Sequence, residues 1–143
     1  MWGILIALIS GALMSIQGVF NTEVTKNTSM WVSNTWVQIT ALLVCVVGWF
    51  VTGRESFGGL FKLENKYMLL GGVIGAFITF TVVKSMSQLG PAKAVLLIVV
   101  SQLLVAYLIE VFGIFGVEKV GFEWKKVIGM LLAIAGIVIF KWE

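Results

Sequence analysis

The chain has 143 residues, 59% hydrophobic and 12% charged, with a net charge of +3. Soluble domains average about 25% charged residues, so this composition, gathered into long apolar blocks, excludes an ordinary globular protein and points to one integral membrane bundle. Without histidine and with a single cysteine, the chain has no intrachain disulfide, no zinc cluster, no basic stripe for nucleic acid and no acid–base group for enzymatic work near neutral pH.

The composition therefore predicts an all-α integral membrane protein that needs no metal or other cofactor and is not an enzyme. The first predicted span covers residues 2–20. It opens like a signal peptide but lacks a basic leading region, and the rest of the chain is equally apolar. Gly11, Ser15 and Gly18 make a smooth face for a neighbouring helix. Ser10, Met14, Gln17 and Asn21 recur at helical spacing on a second, polar face. Gln17 reads either as an interhelical hydrogen bond or as part of a site. Residues 21–30 read as a polar loop in which Glu23 and Lys26 are solvated.

The second span covers residues 31–51, with Asn34, Gln38 and Ala41 on one face. Trp31 and Trp49 suit the two interfacial belts, while the deeper Trp36 packs against lipid or lines a cavity. Cys45, inside ALLVCVVGWF, reads as a small buried packing residue. After a loop holding Arg54, Lys62 and Lys66, the third span covers 67–87 and begins with the small-residue face Gly71, Gly72, Gly75. Lys84, near its end, is placed to snorkel.

The fourth span, 91–112, starts at the only proline, which suits the first helical turn. Gln102 lies eleven residues on, about 16 Å along the helix and so near the middle of a ~30 Å hydrocarbon core. An amide there faces protein or a cavity. Glu110 is about 28 Å from Pro91, near the opposite interface. It reads as a headgroup-level carboxylate paired with Lys119 or Lys125, or as a titratable group at a vestibule. The fifth span, 127–142, carries Gly129, Ala133 and Gly136 on one face, with Lys141, Trp142 and Glu143 closing it at the interface.

With five spans the termini lie on opposite sides of the membrane. Arg54, Lys62, Lys66, Lys119, Lys125 and Lys126 fall on the N-terminal side, and Lys26, Lys84, Lys93 and Lys141 on the other. That excess of two cations puts the N-terminus in the cytoplasm. So small a bias is also compatible with insertion in both orientations.

Four motifs in order carry a resemblance over nearly the whole chain: Gly11, Ser15, Ile16, Gln17 and Asn21; Gly71, Gly72 and Gly75; LGPAKAVLLIVVSQLLVAYLIEVFGIFG; and VIGMLLAIAGIVI. Together they resemble the short, single-repeat branch of the drug/metabolite transporter superfamily, the YdcZ-like family of unknown function. That resemblance implies a five-helix bundle forming one repeat, in a multi-pass protein of the bacterial cell membrane. The last motif also resembles the final helix of small multidrug resistance transporters, which implies that Gly129, Ala133 and Gly136 pack a dimer. Those transporters carry an essential carboxylate in their first helix, where this chain has Gln17 and no acid within the span.

These readings converge on a secondary transporter of a small polar or cationic metabolite or drug, working as an antiparallel dimer with itself or with a related short chain. Gln17, Asn21, Trp36, Gln38, Gln102 and Tyr107 are the expected substrate contacts, since amides both donate and accept hydrogen bonds and aromatic faces stack on organic cations. Glu110 is the expected coupling or vestibule group. The alternative is a non-transporting assembly partner or accessory subunit, in which every polar residue in a span is structural glue.

Overall fold

A computed structural model describes residues 1–141, all of whose regular elements are helical. In order these are α1 (Trp2–Asn27), α2 (Met30–Thr52), the single turn α3 (Gly58–Phe61), a 3-10 segment (Lys66–Leu70), α4 (Gly71–Leu89), α5 (Pro91–Phe112), a 3-10 turn (Ile114–Gly116) and α6 (Trp124–Lys141). Among the described residues, four segments are long and apolar enough to cross a membrane: α1, α2, the 3-10 segment with α4, and α5. α6 has 18 residues, with Lys125 and Lys126 in its first turn. The predicted end of the fifth span, at Trp142 and Glu143, lies outside the described residues.

The largest departure from the sequence reading is α1, which continues seven residues past Phe20, to Asn27. Residues read as a loop stay helical because their side chains bond the helix's own carbonyls. Thr22 Oγ1 donates to Gly18 O at 2.7 Å, Thr25 Oγ1 to Asn21 O at 2.8 Å and Asn27 Nδ2 to Glu23 O at 3.0 Å. Glu23 and Lys26 are solvated as expected, and also paired at 3.0 Å. Only Thr28 and Ser29 separate α1 from α2, so the two form a tight antiparallel hairpin. Ser29 caps α2, its Oγ accepting from Val32 N at 3.3 Å.

Residues 1–88 and 89–141 form two units. The first unit is closed around Gly18: a Cβ there would lie 2.5 Å from Met86 Cε and 3.5 Å from Val82 Cγ1, so the thioether end of Met86 from α4 packs into the space that position 18 leaves by lacking a side chain. Val83 and Met86 are the buried apolar residues of α4. Polar groups share that core. Asn21, Thr22, Ser33 and Asn34 are all buried. Ser33 Oγ donates to Asn21 O at 3.1 Å, tying α2 to α1, and Asn34 Nδ2 donates to Ala76 O at 3.1 Å, tying α2 to α4. The rings of Trp31 and Phe80 meet at 5.4 Å.

The second unit is the α5–α6 hairpin. Pro91 opens α5 at its first position. Gly113 ends it in the left-handed conformation (φ 65°), which a side chain would strain, with Lys119 Cβ only 3.2 Å from the Cβ position. The loop then folds back, Val120 N donating to Glu110 O at 3.0 Å.

Most span residues are not buried within the chain, so their apolar surface is left for lipid or another chain. Cys45 belongs to that surface: it is exposed, not the buried packing residue its apolar run suggested. Gly11, Gly71, Gly72, Gly75, Gly129 and Gly136 have nothing within 4 Å of the Cβ position, so these small-residue faces are open.

Candidate functional site

Three depressions hold most of the polar residues singled out above. The first is a groove of about 620 Å³ along α1, floored by Ile6, Ile9, Leu13 and Phe20 and carrying Ser10, Gln17 and Asn21. The helical spacing of Ser10, Met14, Gln17 and Asn21 does place them together on this face. Gln17 is exposed, whereas Asn21 is only 8% exposed. The Asn21 carbonyl accepts from Thr25 and Ser33, but its side-chain amide has no hydrogen-bond partner among the described residues. That amide is therefore free to act in the groove.

The second depression, also in the first unit, is about 330 Å³ and lies between α2 and α4. Trp31, Asn34, Thr35, Gln38 and Ala76 line it. Asn34 is held by its bond to Ala76 O and in turn accepts from Gln38 Nε2 at 3.5 Å, a long contact that leaves the Gln38 amide available. Trp36 is 61% exposed and lines neither groove. Ser33 was missed by sequence reasoning, although it ties the two grooved helices together; its neighbour Asn34 was the only local signal.

The third depression, about 390 Å³, is a cleft between α5 and α6 in the second unit. Glu110 meets Lys126 here at 3.4 Å, not Lys119 or Lys125. One more residue of helix turns Lys126 toward α5, a detail set by the register of the hairpin. Tyr107 is buried, and its hydroxyl is occupied on both sides: it donates to Glu123 O at 3.4 Å and accepts from Glu123 N at 3.0 Å. Lys126 Nζ lies 5.6 Å from the Tyr107 ring centroid. Gly129 also lines this cleft, Ala133 is half-buried and Gly136 is open. Gln102 is exposed on α5 and lines none of the three depressions. No group of three or more metal-ligating side chains occurs among the described residues.

The comparisons agree with the membrane character of these helices. A family model described as "Putative inner membrane exporter, YdcZ" matches residues 2–139. The protein named Inner membrane protein YdcZ of Escherichia coli strain K12 is 25% identical, over 77% of this chain and 75% of that protein. No solved structure matches the chain. A match over nearly the full length, on a chain of apolar helices able to span a bilayer, establishes that this protein belongs to the YdcZ family of inner membrane proteins.

Proposed function

We propose that the chain is one half of a secondary transporter for a small polar or cationic metabolite, completed by an inverted copy of itself or by a related short chain. In this reading α6 is the fifth span. Its apolar stretch, residues 127–140, is about 21 Å long, shorter than the ~30 Å core. Lys125 and Lys126 at its start can make up part of that difference by snorkelling. Five spans would put the termini on opposite sides, and two such units paired in opposite orientations would enclose a site near the midplane.

The observation that carries the reading is Asn21. Asn21 is 8% exposed as a residue, yet its amide is not sealed off and has no partner among the described residues. It can therefore present a donor and an acceptor to a ligand in the groove, and polar groups inside spans tend to face protein or a cavity. Asn21 shares its groove with Gln17 and Ser10, and Gln38 offers a further amide in the same unit. The α1 groove contains no charged residue, so selection there rests on hydrogen bonding and apolar fit. The family description of an inner membrane exporter supports the direction of this reading. Tyr107 and Glu110 lie in the other unit, and the substrate path does not require them.

Flux from proteoliposomes tests it. Vesicles loaded with a panel of labelled polar metabolites and with ethidium should release at least one compound faster than protein-free vesicles. Asn21→Leu should cut that release at least ~10-fold in protein that still purifies as a single species. Release that never exceeds the protein-free rate, or that Asn21→Leu leaves unchanged, overturns the reading.

A further inference from the structure

The α5–α6 cleft differs in chemistry from the α1 groove, and its features point to a second ligand. An acid and a base, Glu110 and Lys126, stand 3.4 Å apart with side chains 44% and 38% exposed. Charge-assisted N–H···O bonds are shorter, about 2.7–2.9 Å, and an ion pair this open contributes little to folding. The pair is thus easily separated by something that satisfies both charges better.

Its surroundings are already fixed. With its hydroxyl occupied by the Glu123 backbone, Tyr107 serves as a rigid wall whose ring faces the Lys126 ammonium. Beyond the charges the cleft is apolar, formed by Leu103, Ala106, Gly129 and Met130. Its volume of about 390 Å³ falls within the ~300–1,000 Å³ of small-molecule sites. Phe122 and Trp124, packed edge to face at 5.4 Å and both exposed, mark this end as interfacial. The charges then lie at headgroup level and the apolar part of the cleft extends toward the hydrocarbon.

We propose that this cleft binds a zwitterionic amphiphile, its ammonium on Glu110, its phosphate or carboxylate on Lys126 and its apolar part over Ala106 and Met130. A simple cation would leave Lys126 without its partner, and a simple anion would do the same to Glu110. A zwitterion exchanges one loose pair for two close ones. An ethanolamine phospholipid from the bilayer has this chemistry, and so does a free amino acid with an apolar side chain. The site does not depend on the transport reading.

The full-length protein, purified in mild detergent, is exchanged into nanodiscs containing equal parts phosphatidylethanolamine, phosphatidylcholine and phosphatidylglycerol. Retained lipid is then identified by native mass spectrometry. The ethanolamine lipid should be retained ~10-fold over the glycerol lipid. Glu110→Gln and Lys126→Gln should each erase that preference. Ala106→Phe fills the apolar part and leaves the ion pair intact, so it should also lower retention and covers the case in which a charge variant fails to fold. Free phenylalanine separates the two sources: displacement of the lipid supports an aqueous ligand at this site, and retention in its presence supports the bilayer lipid. Equal retention of all three lipids, preference for phosphatidylglycerol, or a preference unchanged by both charge variants overturns the proposal.

Discussion

Gly18 and Gly11 look alike in the sequence, both small residues on one face of α1, but their environments differ. A Cβ at Gly18 would sit 2.5 Å from Met86 Cε and 2.7 Å from Met86 Sδ, whereas one at Gly11 would meet nothing within 4 Å. Overpacking a tight contact typically destabilises by about 1–3 kcal/mol. Gly18→Leu should therefore lower the melting temperature of the detergent-solubilised protein by several degrees, while Gly11→Leu should leave it nearly unchanged. Equal melting temperatures for the two would mean that α4 does not seat on α1 at this point. The polar core around that contact follows the same logic at each residue. Asn21 O, Ser33 Oγ, Asn34 Nδ2 and Ala76 O are used in hydrogen bonds between helices, which leaves the Asn21 and Gln38 amides, with Gln17 in the α1 groove, available for a ligand.

Among the elements, α5 was legible to the residue because both of its boundaries carry a stop signal: proline at the first turn and a left-handed glycine at the end. α1 was not, because threonines and asparagines that signal a loop in water can satisfy helix carbonyls instead. The turn between α1 and α2 consequently has two residues, not ten, and its closure relies on the Ser29 cap. Ser29→Ala should cost about 1 kcal/mol, read as faster amide exchange confined to residues 30–34; unchanged exchange there would show that the hairpin closes without the cap. The same division runs through the sites. The α1 polar stripe was readable from helical spacing alone, since its members share one helix. The pairing of Glu110 with Lys126 was not, because it depends on how two helices register across a turn. Cys45 was misread for a related reason: in a membrane the outside of a helix is as apolar as the inside, so an apolar run does not tell which side faces the core.

For the whole molecule, the surfaces the chain leaves open bear on the proposal that it works as a pair. Gln102 is exposed in the middle of α5, where an amide facing hydrocarbon is disfavoured. Gly136 lies on α6 with nothing near its Cβ position, and so do Gly71, Gly72 and Gly75 on α4. Faces like these allow close backbone approach, and an inverted partner seated on α6 would use Gly136. Two measurements test that arrangement together. On the proposed pairing the protein should run as a dimer in mild detergent, and Gly136→Leu should weaken that dimer by ~10-fold in dissociation constant, whereas Gly72→Leu should not; a monomeric wild-type protein overturns the homodimer. In a Cys45→Ala background, Glu64→Cys reports orientation, since Glu64 is exposed in the connection before α4. A membrane-impermeant maleimide should label it from both sides of the membrane if copies insert in both orientations. Labelling from one side only, with the Gly136→Leu dimer undisturbed, would rule out an inverted homodimer seamed along α6. The exposed Gln102 would then require a different chain to cover it.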